Sequence, residues 1–339
     1  MRIGLDVMGG DLAPDPILKG GLDALSDFSP DDRLVLFGDE AVIQAGVEAS
    51  GADASLIEII GSTELIGMDE SPVEAVRSKG ESSMVKLCQM ASRKAGDARL
   101  DAVISAGNTG AFVAAAQMFM RRLPNVVRPG IAAVVPTFGG PVVFIDVGAN
   151  IDPKPEHLYQ YGVMGSIYAQ NMLGIEQPRV ALMNVGGEEA KGTDDLKQAR
   201  DLLRDCEHVD FTGYIEGRAV FDGAADVVIT NGVTGNVVIK LSEGLSSGIF
   251  KMIKREIDSI DPALAATFEP VVKKLYAAHD YHEYGGAPLL GVNGLCLICH
   301  GSSKDRTITN AIRRAMSYVD AEVNESIIAR LDAVEVEAG

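Results

Sequence analysis

The chain has 339 residues, of which 47% are hydrophobic and only 5% aromatic, and its formal net charge is −18. This length and composition allow a large apolar core, in one big α/β domain or in two closely joined ones. The acidic balance and the absence of Trp argue against a nucleic-acid surface. The sequence has no uncharged apolar run of the roughly 18 residues that predict a transmembrane helix, and no signal-peptide pattern at its start.

Short apolar runs alternate with helical patterns along most of the chain, which predicts an α/β fold with a doubly wound, mostly parallel sheet in an α/β/α sandwich. The expected strands lie at 2–7, 33–37, 55–60, 103–104, in two runs within 130–145, and at 180–183, 225–229 and 295–298. The expected helices lie at 14–25, from Asp39 to 49, from Ser71, at 80–95, 108–122, 155–173 and 194–204, and from Ser303 to 315. Asp39, Ser71 and Ser303 are placed to cap their helices, and either Thr193 or Asp194 is placed to cap the helix at 194–204. We expect a single catalytic α/β domain over residues 1–339.

One stretch departs from this alternation. Residues 237–284 have a helical pattern with Pro262 near the middle, where Asp261 is placed to cap a second helix. We therefore expect a helical hairpin that projects from the sheet. Between Lys251 and Leu275 it has five basic and four acidic residues, so this window carries +1 in a chain of −18. Its apolar residues suit a membrane surface or a partner subunit, and the sequence leaves both open.

Four of the expected strands end in a glycine turn that carries an asparagine. These asparagines are Asn108, Asn150, Asn184 and Asn236. Because the carboxyl ends of parallel strands lie along one edge of a sheet, ligands bind there. We therefore expect the four turns to meet in one crevice.

The turn after the strand at 180–183 has the richest set of polar groups. Gly186 and Gly187 allow positive φ and close approach of a ligand, and the N–H groups of such a turn favour an anion. Lys191 adds a mobile cation that Glu188 is placed to orient. This set predicts phosphate binding, and the same residues also fit an ordinary strand-to-helix corner with a solvated tip.

His300 follows the last predicted core strand and stands beside glycine and serine, so we expect it to be functional. The segment Cys296-Leu-Ile-Cys299-His300 has the spacing of a c-type haem attachment site. An apolar strand points its alternate side chains to opposite faces, and an export signal is missing, so we predict buried, inert thiols instead.

Nucleotide and acyl-enzyme signatures are missing from the chain. Gly-x-Gly-x-x-Gly and Gly-x-Ser-x-Gly do not occur, and at 187–193 the lysine precedes the second glycine instead of following it as in a P-loop. No cluster of His, Asp and Glu has metal-ligand spacing. We predict a crevice for a small anion, without metal or cofactor, in which inorganic phosphate is the nucleophile.

Seven short motifs carry a resemblance to a known family. They are Asp6-Val-Met-Gly-Gly-Asp11, Ser105-Ala-Gly-Asn-Thr-Gly-Ala111, Asp146-Val-Gly-Ala-Asn150, Asn184-Val-Gly-Gly-Glu-Glu-Ala-Lys-Gly192, Thr234-Gly-Asn236, Tyr284-Gly-Gly-Ala-Pro-Leu-Leu-Gly291 and His300-Gly-Ser-Ser303. Over nearly the whole chain, the sequence resembles the bacterial phosphate acyltransferases, the acyl-acyl carrier protein:phosphate transacylases of phospholipid synthesis. One departure is Asn231-Gly-Val233, where the family usually has Asp-Gly-Phe.

The resemblance implies a homodimer with a fold like phosphotransacetylase and isocitrate dehydrogenase. It implies transfer of a long-chain acyl group from acyl carrier protein to inorganic phosphate. The acyl phosphate would then serve the membrane glycerol-3-phosphate acyltransferase that uses it. The resemblance also implies a cytoplasmic location with peripheral attachment to the inner face of the membrane.

These motifs contain the candidate site residues. The catalytic candidates are Lys191, His300, Asn184 and Glu188; the substrate- and phosphate-binding candidates are Asp6, Asn108, Thr109, Asp146, Asn150, Gly186, Gly187, Gly235, Asn236 and Ser302. We expect direct attack of phosphate on the thioester, with Lys191 or His300 stabilising the oxyanion or protonating the thiolate. Two alternatives stay open: a phosphotransacetylase acting on short acyl-coenzyme A, and a non-catalytic module that docks a carrier protein or a membrane.

Overall fold

A computed structural model describes residues 1–260, 267–271, 274 and 285–338 of the chain. These residues form two compact units. The first contains Met1–Ala132, Ile167–Glu176 and the described part of Tyr284–Gly339. The second contains Ala133–Ser166 and the described part of Gln177–Glu283. One catalytic domain over residues 1–339 stays a prediction.

Strands and helices alternate along the chain. The strands are β1 (Arg2–Asp6), β2 (Arg33–Gly38), β3 (Ile57–Gly61), β4 (Ala102–Ser105), β5 (Gly130–Thr137), β6 (Gly140–Ile145), β7 (Arg179–Met183), β8 (Asp210–Ile215), β9 (Val227–Ile229), β10 (Ala287–Leu290) and β11 (Leu295–Ile298). The helices are α1 (Asp15–Asp23), α2 (Glu40–Ser50), α3 (Pro72–Ser78), α4 (Ser83–Met90), α5 (Thr109–Ala115), α6 (Pro155–Leu173), α7 (Asp194–Arg204), α8 (Gly217–Val220), α9 (Gly232–Ile260), α10 (Asp305–Asp320) and α11 (Val323–Ala338). Short 3-10 segments lie at Ala24–Asp27, Ala54–Leu56 and Arg93–Ala98, and α5 runs on into a π-helical turn at Ala116–Met120.

The sheet of the first unit has the strand order β3-β2-β1-β4-β11-β10. β1 pairs in parallel with β2 and β4, and β4 pairs in parallel with β11. Leu5 stands opposite Ile104, and Ser105 stands opposite Ile298, so the carboxyl ends of β1, β4 and β11 lie side by side. The turns that follow these three strands therefore share one edge of the sheet.

The sheet of the second unit contains the parallel strands β6, β9, β7 and β8 in that order. Ile229 stands opposite Ile145 on one side and opposite Leu182 on the other. Phe144, Val228 and neighbouring apolar side chains form the buried core around these strands. Because β6, β9 and β7 end level with one another, the turns after them share an edge.

The predicted fold class is confirmed, and two strands were not predicted. β8 was missed because it lies beside β7 at the end of the sheet, and its sequence Asp-Phe-Thr-Gly-Tyr-Ile has no continuous apolar run. β10 occupies part of 284–291, which the sequence indicated as a tight loop. It pairs antiparallel with both β11 and β5. Gly285 and Gly286 have φ values of 67° and 92°, so the turn is complete just before this strand begins.

Helix caps agree only partly with the predictions. Asp39 and Thr193 cap α2 and α7 as predicted, each accepting a backbone N–H of the first turn. Ser71 stands before α3 but its side chain makes no cap hydrogen bond. The prediction for Ser303 was wrong because Lys304 occupies the cap position of α10. A hydroxyl near a helix start becomes a cap only when the backbone points it at the free N–H groups.

Two predicted helices have different lengths in the structure. The helix expected at 80–95 is the shorter α4, capped by Ser82, and a 3-10 segment follows in which Gly96 has a φ of 56°. The last predicted helix is longer than expected, since α10 continues to Asp320 and α11 follows it.

Helix α9 is the first arm of the predicted hairpin and begins at Gly232, earlier than the expected residue 237. Apolar side chains along it stay exposed at helical spacing; they are Val237, Leu241, Leu245, Ile249 and Met252. Most of the expected second arm lies outside the described residues, although 267–271 are helical. In the ranges that the structure describes, no helix combines the length and the apolar character needed to cross a bilayer.

Candidate active site

Asp6 is a buried carboxyl group at the carboxyl end of β1. Its carboxylate accepts hydrogen bonds from Ser105 Oγ at 2.7 Å and from the backbone N–H of Met8 at 3.2 Å. Ser105 Oγ also accepts the N–H of Gly107 at 3.0 Å. Burial raises the pKa of Asp6, and hydrogen bonds from Ser83 and Ser105 oppose that shift. Asp6 thus joins the turn after β1 to the turn after β4.

The turn after β1 packs directly on the turns after β4 and β11. A Cβ on Gly9 would lie 2.5 Å from an Asp6 carboxylate oxygen and 2.9 Å from the amide nitrogen of Gly107, so only glycine fits. The N–H of Asp11 donates to the carbonyl of Gly301 at 2.8 Å. Residues 6–11, 105–109 and 299–303 therefore form one connected cluster, here called the first-unit edge.

Asn108 is buried at the N-terminus of α5. Its Oδ1 caps the helix by accepting a backbone N–H of the first turn at 3.0 Å. Its Nδ2 lies 3.0 to 3.2 Å from three carbonyl oxygens of the loop 67–70. The side-chain amide therefore holds this loop against α5, and the neighbouring Thr109 is the exposed residue at this helix start.

His300 is exposed at the end of the last core strand. Its Nδ1 accepts the backbone N–H of Ser302 at 3.2 Å and lies 2.7 Å from Ser302 Oγ. Because an accepting Nδ1 is unprotonated, the neutral ring carries its proton on Nε2. Ser302 thereby orients the imidazole so that Nε2 is the hydrogen-bond donor.

Asp146 is the fully buried carboxylate of the second unit, directly after β6. Its Oδ1 accepts the N–H groups of Gly148 at 3.2 Å and Ala149 at 3.0 Å. Its Oδ2 accepts the N–H of Asn150 at 2.6 Å and Asn150 Nδ2 at 3.2 Å. Asn150 Nδ2 also donates to Tyr161 Oη at 2.7 Å. Asp146 therefore folds the turn around itself, and Tyr161 supports it from α6.

Asn231 caps helix α9 beside this turn. Its Oδ1 accepts the N–H of Thr234 at 2.8 Å, and the N–H of Gly232 donates to the carbonyl of Asn150 at 2.8 Å. An aspartate would accept the same cap hydrogen bond, so the departure at Asn231 preserves the helix start. Val233, where the family usually has Phe, is half exposed.

The first turn of α9 lies directly on the Asp146 turn. A Cβ on Gly235 would be 2.1 Å from the carbonyl oxygen of Asp146, closer than any side chain allows. Asn236 is exposed in this first helical turn; the prediction that it lies in a glycine turn was wrong, because the helix starts at Gly232. The residues 146–150, 184–192 and 230–236 are here called the second-unit edge.

The loop after β7 is closed by Asn184, whose Nδ2 donates to the carbonyl of Lys191 at 3.2 Å. The ammonium of Lys191 lies 3.3 Å from Glu188 Oε2, and a Cβ on Gly186 would lie 3.1 Å from it. The backbone N–H of Glu188 itself and the side chain of Lys191 lower the pKa of Glu188. A Cβ on Gly187 would meet nothing within 4 Å. The loop therefore presents a cation over an open glycine backbone.

The structure distributes the predicted residues over two sets. Asp6, Asn108, Thr109, His300 and Ser302 belong to the first-unit edge; Asp146, Asn150, Asn184, Gly186, Gly187, Glu188, Lys191, Gly235 and Asn236 belong to the second-unit edge. That the two edges meet in one crevice stays a prediction. The roles of Ser105, Asn231 and Tyr161 were not predicted from the sequence. The position of Ser105, directly at the end of a buried strand, was a signal for its role.

The thiols of Cys296 and Cys299 are buried, as predicted, and so is the thiol of Cys88. Burial raises the pKa of Cys299 to about 12 and raises those of the other two as well. Because only a thiolate is an effective nucleophile, these side chains are chemically inert.

Two solved phosphotransacetylases have a similar architecture. The chain matches a phosphotransacetylase from Streptococcus pyogenes with a TM-score of 0.61 and 14% identity, covering 99% of this chain and 94% of that one. It matches the EutD phosphotransacetylase from Staphylococcus aureus with a TM-score of 0.60 and 15% identity, covering 96% and 94%. At these identities the likeness shows the fold, a phosphotransacetylase-like α/β scaffold.

Proteins of similar sequence identify the family to which the chain belongs. The family model of fatty acid synthesis proteins matches residues 1–326. A phosphate acyltransferase from Pelotomaculum thermopropionicum is 43% identical over 338 residues, covering 99% of this chain and 96% of the relative. One from Desulfitobacterium hafniense is 44% identical over 330 residues, covering 96% of each. The chain belongs to the phosphate acyltransferase family, and it is an enzyme that transfers acyl groups.

Proposed function

We propose that the enzyme transfers a long-chain fatty acyl group from acyl carrier protein to inorganic phosphate, giving acyl phosphate for phospholipid synthesis. The observation that carries this proposal is the loop 184–192, where the ammonium of Lys191 stands over the backbone of Gly186 beside the open Gly187. A cation next to exposed glycine backbone favours a small dianion. Relatives named phosphate acyltransferase support the choice of phosphate as acceptor.

In the proposed reaction a phosphate oxygen attacks the thioester carbonyl carbon directly. The new O–C bond gives a tetrahedral oxyanion, whose collapse breaks the C–S bond, and the departing thiolate takes a proton. Lys191, or the Nε2–H of His300, stabilises the tetrahedral oxyanion or supplies that proton. We assign Asn184 and Glu188 to the positioning of Lys191, because each contacts it in the loop.

The remaining candidate residues form two groups: some are exposed, and the others make hydrogen bonds within the protein. Thr109, Asn236 and Ser302 are exposed at the starts of α5 and α9 and beside His300, so we assign them direct contacts with substrate. Asp6 accepts a hydrogen bond from Ser105, and Asp146 accepts hydrogen bonds from its own turn. Asn108 donates to the loop 67–70, and Asn150 donates to Asp146 and Tyr161. We assign these four residues to the site through the turns that they hold.

No acyl-enzyme forms in this scheme, which gives a prediction for the cysteines. Replacing Cys88, Cys206, Cys296 and Cys299 together by alanine should leave acyl transfer in place, because three of the thiols are buried and not nucleophilic, and Cys206 belongs to neither edge. Mass spectrometry of enzyme quenched during turnover should find no acylated cysteine. An acyl group trapped on any of the four would contradict direct attack.

The acyl donor is settled by an assay with purified protein. Phosphate-dependent thiol release is measured with long-chain acyl-acyl carrier protein and, in parallel, with acetyl-coenzyme A. We expect release from the carrier protein and formation of acyl phosphate, trapped with hydroxylamine. Turnover with acetyl-coenzyme A alone would favour the alternative, a phosphotransacetylase of short acyl groups. The exposed apolar side chains of α9 favour the lipid substrate, because a water-soluble donor needs no approach to a membrane.

The same helix supports the proposed assembly and location. The side chains of Leu241, Leu245 and Met252 are each at least 60% exposed, a degree that suits either a second copy of the chain or the lipid interface. We propose a cytoplasmic homodimer that attaches peripherally to the inner face of the membrane. There its acyl phosphate would reach the membrane glycerol-3-phosphate acyltransferase that consumes it.

A further inference from the structure

A cleft with exposed arginines lies at the far end of the helical segment that begins at Thr109. Arg121, Arg122, Leu123, Asn125, Val126 and Val127 line it. The segment from Thr109 to Met120 is about 18 Å long at the rise of an α-helix, so the cleft is well removed from the first-unit edge. The next residue after the cleft, Arg128, is exposed as well.

The arginines of this cleft have no acidic partner. In the ranges that the structure describes, Arg121, Arg122 and Arg128 form no ion pair. Other arginines of the chain do, for example Arg2 with Glu58 at 2.6 Å and Arg179 with Asp226 at 2.9 Å. Among the described residues, these are three guanidinium groups without an ion pair within eight positions, in a chain whose net charge is −18.

The backbone around the cleft is held from both sides. The N–H of Leu123 donates to the carbonyl of Gly291 at 3.0 Å, and the N–H of Asn293 donates to the carbonyl of Arg121 at 3.0 Å. Arg122 Nη1 donates to the carbonyl of Val127, which closes the loop across the cleft. These contacts tie the arginines to the turn between β10 and β11, so the cleft is formed without a ligand.

One carboxylate stands beside the cleft. Asn125 Nδ2 donates to Asp332 Oδ1 at 2.8 Å. Within the described residues, Asp332 forms no ion pair with Arg121, Arg122 or Arg128. Asp332 also fixes Asn125, a residue with a φ of 61°, at the edge of the cleft.

We propose that this cleft binds the phosphate monoester group of a ligand other than the substrate phosphate. The planar guanidinium fork pairs with two phosphate oxygens at once, and a dianion matches several arginines that lack acids. A concave site of six lining residues suits a small group better than the surface of an acidic protein. Leu123, Val126 and Val127 offer apolar contact to the carbon chain next to the phosphate.

To test the proposal, the full-length enzyme is titrated with phenyl phosphate, and binding is measured by calorimetry. The double variant Arg121→Gln/Arg128→Gln should bind about tenfold more weakly, since it removes one arginine that lines the cleft and the exposed arginine directly after it. Arg122 is left in place because its contact with Val127 supports the loop. Arg77→Gln removes an exposed arginine from α3 and serves as the matched control, which should bind like the parent. Thermal melting checks that each variant is folded.

Vesicle flotation separates the two sources of the phosphate group. Vesicles of phosphatidylcholine with and without phosphatidic acid are compared for parent and double variant. Arginine-dependent binding to phosphatidic acid vesicles indicates a lipid headgroup, and arginine-dependent binding of phenyl phosphate indicates a soluble ester; either supports the site.

Three outcomes overturn the proposal: no dependence on the two arginines in either assay, an equal loss in Arg77→Gln, or loss of phenyl phosphate binding in Lys191→Met instead. Arginine-dependent binding of polyglutamate without binding of either phosphate probe would also overturn it, in favour of an acidic protein partner.

Discussion

Replacing Lys191 with methionine is expected to lower turnover by at least about 100-fold, the usual scale for losing an electrostatic donor to a transition state. The fold should be unaffected, because the ion pair of Lys191 with Glu188 is exposed to solvent and such pairs add little stability. Methionine is an unbranched side chain one atom shorter than lysine, and it lacks the ammonium group. Steady-state kinetics with acyl-acyl carrier protein and phosphate measures the effect, and thermal melting confirms the fold.

Lys197→Met is the matched control for this change. Lys197 lies on α7, just after the loop, and its ammonium is 3.7 Å from Asp194 in another exposed pair. The control should turn over substrate like the parent enzyme. Near-normal turnover in Lys191→Met would remove this lysine from the mechanism, and an equal decrease in both variants would indicate a general effect of charge.

Gly235→Ala should damage both stability and activity. The added methyl group would lie 2.1 Å from the carbonyl oxygen of Asp146, and neither backbone can give way without moving the turn or the start of α9. We expect the free energy of unfolding to fall by about 3 kcal/mol, at the upper end for forced overpacking. Turnover should fall as well, because the substitution displaces the Asp146 turn and the neighbouring Asn236. Urea unfolding and the acyl transfer assay measure the two effects.

For Gly244→Ala, on the same helix, we expect a gain in stability. A Cβ at Gly244 meets nothing within 4 Å, so alanine adds no clash. It should stabilise the protein by roughly 0.5–1 kcal/mol, because alanine is a better helix former than glycine. If Gly235→Ala unfolds at the same urea concentration as Gly244→Ala, then the close contact between α9 and the Asp146 turn does not exist in solution.

The alternation of strands and helices was readable from the sequence because it depends on neighbouring residues. The two strands in 130–145, the helix Pro155–Leu173 and the cap at Thr193 agree with the structure. β10 was not readable, since its Pro288 argues against a strand and its partners, β11 and β5, are recognised only once the chain has folded. The same holds for β8, which pairs with β7.

The candidate site shows the same division at the level of single side chains. Asn108 was predicted as a donor to phosphate, and the structure shows its amide turned toward carbonyl groups of the loop 67–70. That loop is about forty residues away along the chain, so the sequence around Asn108 does not indicate this contact. Lys191, by contrast, contacts Glu188 and Asn184 within its own loop, where the sequence places all three together.

By itself, then, the amino-acid order determined the α/β class, the glycine turns after β4, β6 and β7, and the family. Each of these depends on residues that are close together in the sequence or on short motifs. Only the tertiary structure decided which polar groups hold the turns and which stay exposed for a ligand. Asp6 and Ser105 are 99 positions apart and 2.7 Å from one another in space. A hydrogen bond is formed between atoms that the fold brings together, whatever their distance along the chain.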